Sequence, residues 1–244
     1  MLFRCLTPRQ PWLVIFRIVI AASFMKSAVS AVPPPAPPMG TNVPLTATSP
    51  NAYRMGDIEL SAQHHSLSFP ATVNVTDVVI EYALVTRDGK THESLLSTAV
   101  SARDLHLASL LLGVKASADL GSTNQVIAPA SSGQVRVWVE WGTPGASTYH
   151  LRRLEDLIGL GSRDSRTITG KLSAASWNYS GSFVHEGRFV AQEEGSIISL
   201  IRDPVALINN PGVDRDDDDI HYPNPMSLPP RGTLVRVIWE FNAP

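Results

Sequence analysis

The chain has 244 residues, 43% of them hydrophobic and 17% charged, with 20 Lys and Arg against 22 Asp and Glu. A formal net charge of −2 offers no basic surplus for a phosphate backbone, which argues against nucleic acid as the partner. The single cysteine, Cys5, excludes an intramolecular disulfide framework and a multi-thiolate metal centre.

Residues 1–31 have the layout of a secretory signal peptide. Arg4 and Arg9 precede the apolar "WLVIFRIVIAASFM", and "SAVSA" closes it with small residues suited to cleavage before Val32. Arg17 leaves only Ile18 to Met25 uninterrupted, shorter than the ~20 apolar residues a membrane span needs. The alternative is an uncleaved anchor, which would then be the chain's one tie to a membrane. Export places the chain in the periplasm or outside the cell, with an unspecified envelope or extracellular partner. Cleavage would remove Arg4, Arg9, Arg17 and Lys26 and leave 16 bases against 22 acids, a net charge of −6. It would also remove Cys5, so neither a disulfide nor an iron–sulfur cluster is expected in the mature chain, and its cofactors are otherwise unspecified. Residues 32–51 carry five prolines between 33 and 38 and then Thr, Asn and Ser, which reads as a flexible proline-rich tether. A proline-motif ligand is the other reading of that stretch. Residues 52–244 are long enough for a single domain.

Within that domain the dominant period is two. A short strand at Ile58 and Leu60 bends at His64-His65 into "SLSFPATVNV", with Leu67, Phe69, Ala71, Val73 and Val75 on one face. "DVVIEYALV" and "THESLLSTAV" flank "RDGK", and Asp-Gly between apolar runs predicts a hairpin turning at Asp88-Gly89. Ser101 and Asp104 form an S-x-x-D box before "LHLASLLLGV", predicting a capped helix that stops at Gly113. Because it is apolar almost all round, it should lie buried against the sheet. "GQVRVWVEW" alternates, with Val135, Val137, Val139 and Trp141 inward. "TYHLRRLEDLI", "ASWNYSGSFV", "GRFVAQ", "SIISLIRD" and "GTLVRVIWEF" read as further strands, with "EEGS" a tight turn. A short second helix is predicted to open at Asp203-Pro204. The fold class is therefore α+β and β-rich, with largely antiparallel sheet, one buried helix and one short helix.

The chemistry centres on "GKTHES". A two-residue turn would set Val85 opposite His92 and Leu84 opposite Glu93, placing His92 and Glu93 on opposite faces of a covered ribbon. A buried carboxylate needs a partner. Arg152, Arg153 or His106 could supply one to Glu93, leaving open a structural ion pair or a functional polar cluster of His92, Glu93 and His106. The segment is not H-E-x-x-H, since a second histidine is missing. In "DRDDDD", Asp214, Asp216 and Asp218 match the first three ligand positions of an EF-hand loop, but Asp219 replaces the turn glycine and Pro225 the last ligand. They remain weak cation candidates beside a solvated charged loop. His64-His65 reads as exposed bend decoration. "NVT" and "NYS" fit glycosylation acceptors, whereas G-x-S-x-G, a phosphate loop and G-x-G-x-x-G are missing from the sequence.

These segments, in this order, resemble the YdjY-domain family of bacterial exported proteins without an established activity. The resemblance rests on "IEYALVTRDGKTHESLLSTAVSARDLHLASLLLG", "WNYSGS", "EEGSIISLIRDPVALIN" and "DRDDDDIHYPNP…LPPRGTLVRVIW". The family's G-K-x-H-E-S/A-L pattern falls on Gly89, Lys90, His92, Glu93, Ser94 and Leu95, and its L-H-x-A-L-L-L-G stretch on Leu105, His106, Ala108 and Leu110 to Gly113, with Ser109 departing from it. Some relatives carry ferredoxin-like segments, but a chain without cysteine beyond position 5 does not inherit a redox role from them. The resemblance implies an envelope location and a single domain. Two function classes follow: a non-enzymatic exported binding or scaffold domain, or a metal-dependent or acid/base hydrolase using His92, Glu93, His106 and Glu194 or Asp203.

Overall fold

The computed structural model describes residues 43–117, 131–143, 145–162, 167–173 and 176–242. The expected signal peptide and residues 32–42 of the expected tether lie outside them. The strands are β1 (Leu45–Ser49), β2 (Ala52–Met55), β3 (Ile58–Ser61), β4 (Ser66–Val73), β5 (Tyr82–Thr86), β6 (Ser94–Thr98), β7 (Gln134–Trp141), β8 (His150–Arg153) and β9 (Ile158–Gly161). They continue with β10 (Ile168–Lys171), β11 (Trp177–Tyr179), β12 (Val184–His185), β13 (Arg188–Phe189), β14 (Ser196–Ser199), β15 (Ile208–Asn209), β16 (His221–Pro223) and β17 (Leu234–Phe241). Two helices join them, α1 (Ala102–Leu111) and α2 (Val190–Glu194).

Eight of these strands close on themselves in the order β4–β17–β7–β11–β15–β14–β5–β6, with β6 returning to β4. The three longest strands, β4, β7 and β17, set the register of this barrel-like sheet. Phe69, Val237 and Val139 form one rung, and Leu67, Trp239 and Val137 the next. These six side chains are buried, and Phe69 meets Trp239 edge to face at 5.4 Å. Period-two alternation reads correctly here because one face of each strand looks inward and the other looks at water. The meander β1–β2–β3 hangs from β4 beyond the closed ring, while β10–β9–β16 and β12–β13 form two small separate sheets.

Four expectations need correction. The sheet is mixed: β5 runs parallel to β6, and β14 parallel to β15. The Asp88-Gly89 hairpin does not form. Tyr82 pairs with Ser94 and Leu84 with Leu96, so residues 87–93 carry the chain back along β5 before β6 starts. A turn does occur, since the Gly89 N–H donates to Thr86 O at 3.0 Å. Asp-Gly reports that the chain reverses, but not whether the next residues pair at once or travel back first. The expected tether extends too far, because Leu45–Ser49 is a strand paired with β2. Finally, the short second helix lies at Val190–Glu194, inside "GRFVAQEE", where only strand and turn were expected. At Asp203 the carboxylate instead accepts from the Val205 N–H at 2.9 Å, closing a turn.

The α1 helix confirms its sequence signals at the N-terminus. Ser101 Oγ accepts from the Asp104 N–H at 3.0 Å, a cap worth about 1 kcal/mol, and Gly113 follows with φ +80°. Its burial is one-sided. Leu105 and Ala108 enter the core, but Leu110 and Leu111 are 45% and 58% exposed. Apolar composition fixed which residues could be buried, and the single face offered by the sheet decided which were.

Candidate functional site

Two parallel pairs bring four separated stretches of the chain to one end of the ring. Residues 87–93, between β5 and β6, are pinned from several sides. Asn74 Nδ2 donates to Thr91 O and, at 3.0 Å, to Ser94 O. Ser94 Oγ donates to Lys90 O at 2.5 Å. Gly89 lies against Gly195 so closely that a Cβ on Gly89 would stand 3.1 Å from the Gly195 carbonyl oxygen. The 3-10 turn Thr91–Glu93 then delivers the chain to β6.

Over this crossover runs a chain of polar side chains. Lys90 Nζ donates to Tyr82 Oη at 2.6 Å, and Tyr82 Oη donates to Asp203 Oδ2 at 3.1 Å. The ammonium also sits 4.7 Å from the Tyr82 ring centroid. Asp203 N–H donates to Asn209 Oδ1 at 3.1 Å, and Asn209 Nδ2 donates to Ser180 Oγ at 2.9 Å. Tyr82, Asp203, Asn209 and Ser180 are buried, so each must find a partner inside the protein, and each does. Burial pushes the Tyr82 phenol up to about 12, which keeps it protonated at neutral pH and unsuited to act as a base. Burial alone would pull the Lys90 ammonium down. The Tyr82 hydrogen bond and the nearby Asp203 and Glu194 outweigh that pull and hold it above its ordinary value.

A second buried group stands on the neighbouring loop. Asp214 Oδ2 accepts from Asn210 Nδ2 at 2.6 Å and faces His221 Nε2 at 2.9 Å. Burial would raise this carboxyl, but the hydrogen bonds of His221 and Asn210 hold it below its usual value. His221 is fully buried, and its Nδ1 has no hydrogen-bond partner among the described residues. Asp216 takes a different partner, Arg202 Nη2 at 2.9 Å.

The residues singled out from the sequence therefore separate. His92 and Glu93, expected on opposite faces of a ribbon, lie on one turn with His92 Nε2 3.5 Å from Glu93 Oε2. His92 is 80% exposed and Glu93 24%, so the carboxylate sits at the rim and not inside a covered sheet. Neither arginine is its ion-pair partner: Arg153 binds Glu155 at 2.6 Å, and Arg152 Nη1 donates to Leu151 O. His106 Nδ1 is 2.8 Å from Tyr179 Oη on the α1 side, and burial lowers its pKa. Asp214 and Asp216 are engaged as described, so the EF-hand alignment does not group them with Asp218. Among the described residues, the carboxylates that lie within 4.8 Å of one another are Asp217, Asp218 and Asp219. Glu81 lies near this acidic rim. Burial, followed by the charges of Glu93 and Asp218, raises its carboxyl above the ordinary range.

Both glycosylation triplets are occupied structurally. Asn74 holds the crossover, and Asn178 is fully buried on β11. Sequence reasoning missed Tyr82, Lys90, Asn209, Asn210 and His221 as members of one region. The available signal was that they lie in or beside the quoted blocks "GKTHES", "WNYSGS", "RDPVALIN" and "DRDDDDIHY", which the fold brings together.

No curated protein matches the chain, and no solved structure matches it. The YdjY domain profile matches residues 58–240, well over half of the chain, and spans the crossover and both buried polar groups. The chain belongs to the YdjY domain family.

Proposed function

We propose that this YdjY-domain chain is an exported binding or scaffold module, without catalytic turnover, acting in the periplasm or outside the cell. The observation that carries the reading is the Lys90–Tyr82–Asp203 chain. The charged residue at the heart of the Gly-Lys motif is engaged in closing a parallel crossover, and the tyrosine it meets stays protonated at neutral pH. The motif then builds a shape. Contact with a partner falls to the groups left at the rim, among them His92 and Glu93. The export part of the proposal is supported by the basic start, apolar middle and small-residue exit of residues 1–31.

The alternative, a metal-dependent or acid/base hydrolase, draws on one observation: His92 and Glu93 are neighbours in space. Metal analysis of the purified protein tests the proposal. No retained zinc or iron is expected after dialysis, and His92→Ala is expected to keep the melting temperature of the parent. Stoichiometric zinc or iron that disappears in His92→Ala or Glu93→Gln would replace this reading with the hydrolase.

A further inference from the structure

The outer face of the main sheet is not flat. In the strand order β1–β2–β3–β4–β17–β7, Thr48 of β1 and Glu140 of β7 line one cavity of about 510 Å³. The steps between those strands would set the two residues roughly 24 Å apart on a flat sheet. The sheet therefore curls, and this face is concave. A second cavity, of about 550 Å³, lies beside the first and runs on to Trp141. Arg54, Glu59, Ser68, Glu140 and Arg236 line both. Each volume falls in the range of small-molecule sites.

We propose that this cleft binds a neutral oligosaccharide. Its charges are mated before any ligand arrives. Glu59 takes Arg54 on one oxygen and Arg236 on the other, and Arg236 Nε faces Glu140 at 3.3 Å. Asp57 joins them in the wall, so Arg54 and Arg236 stand against three carboxylates and an anion gains nothing there. A cation would have to compete with the arginines for Glu59 and Glu140. A ligand rich in hydroxyls breaks none of these pairs. A guanidinium has five N–H donors and a carboxylate about four lone-pair positions, more than the pairs use, and a sugar hydroxyl both donates and accepts. The hydrogen bond from Arg236 holds the Glu59 carboxyl below its ordinary value, which keeps it an acceptor. Ser61, Ser66 and Ser68 add hydroxyls to the same wall. Each cavity also has an aromatic ring backed by the core, Tyr53 in one and Trp141 in the other. Trp141 is further fixed by stacking on His150 at 5.0 Å. Such amphipathic rings receive the apolar C–H face of a pyranose. Two cavities with one ring each suit linked sugars better than a single one. The cleft shares no lining residue with the crossover, so this site is additional to the rim at His92 and Glu93.

Isothermal titration calorimetry of the full chain with maltotetraose, cellotetraose and tetra-N-acetylchitotetraose tests this. At least one is expected to bind with a Kd of about 1 mM or tighter. Its affinity is expected to stay constant between about 50 and 500 mM NaCl, because no net charge is exchanged. Arg236→Ala and Trp141→Ala are each expected to weaken binding about tenfold or more, and Trp141→Phe to recover most of the loss. Arg236→Ala should melt close to the parent, since exposed pairs of this kind add little to stability. Arg136→Ala, on the same strand β7 but outside the cleft, and His92→Ala are expected to bind as the parent does. Failure of all three sugars to bind, an affinity that falls with salt, an Arg236→Ala protein that binds as tightly as the parent, or loss of binding in His92→Ala would overturn the proposal.

Discussion

Two regions of this molecule are built from the same residue types and do opposite things with them. On the outer face of β2, β3, β7 and β17, Arg54 and Arg236 share Glu59 at 2.7 and 2.6 Å, and Arg236 reaches Glu140 at 3.3 Å. Arg54, Glu59 and Arg236 are about half-exposed and Glu140 less so, so water screens these pairs and each is worth ~0–1 kcal/mol. At the β5–β6 crossover, the partly exposed Lys90 reaches inward to Tyr82 and Asp203, which are buried and make a similar number of polar contacts where water is largely excluded. Leaving one of those partners unsatisfied costs about 1–3 kcal/mol. Hydrogen-bond distances are alike in the two regions, so solvent exposure sets the difference. A charged motif residue therefore announces stability at the crossover and almost nothing on the ladder.

The comparison breaks most visibly at the glycine contact. A Cβ on Gly195 would meet Gly89 Cα at 2.7 Å and collide with Thr86 Oγ1, at a residue whose φ is +70°. Gly195→Ala is expected to cost on the order of 3 kcal/mol in urea unfolding. Gly232→Ala, which has the same sign of φ but open space around it, isolates the backbone part and should cost less. Tyr82→Phe comes next. It keeps the ring and removes the bridging hydroxyl, with an expected loss of about 1–3 kcal/mol. Arg54→Ala on the ladder is its control, expected at ~0.5 kcal/mol or less.

Acid titration sharpens the contrast further. The Asp214 carboxyl is held below its ordinary value in the folded protein. Its contribution is therefore fully present above the unfolded value of ~3.9 and lost as pH falls through the lower folded value. Asp214→Asn is expected to melt lower than the wild type by ~2–6 °C at neutral pH, with the gap narrowing below about pH 4. Glu81 has the opposite sign. Its carboxyl is raised, so the folded protein is most stable with the group protonated and loses that contribution as pH rises through the folded value. Glu81→Gln is thus expected to gain ~1 °C at neutral pH and nothing in acid. This is the smallest effect of the set, since the group is half-exposed.

Long alternating strands were legible in the sequence. Leu67, Phe69, Val137 and Val139 fell on the faces their period assigned, because a half-buried strand writes its orientation in polarity. The β5 and β6 strands were not legible in the same way. Both are buried on both sides, so neither carries an alternation that reports direction, and Asp88-Gly89 was free to suggest a hairpin. The error propagated to the site. A false hairpin put His92 and Glu93 on opposite faces and sent Glu93 looking for Arg152, Arg153 or His106. Tyr82 lay inside the apolar run "DVVIEYALV" and Lys90 in the predicted turn "RDGK". Their pairing depends on a parallel crossover that residue types alone do not encode. The α1 cap was read correctly because Ser101 and Asp104 interact within one turn.

The claim that the Gly-Lys motif builds shape is tested most directly by a double-mutant cycle in urea unfolding, using Lys90→Met, Tyr82→Phe and the pair. If the ammonium and the phenol form one structural unit, both single variants are destabilised, and their effects are non-additive by ~1 kcal/mol or more. Additive effects within ~0.3–0.5 kcal/mol, or a Lys90→Met protein as stable as the wild type, would contradict the account and return Lys90 to the list of groups free for chemistry.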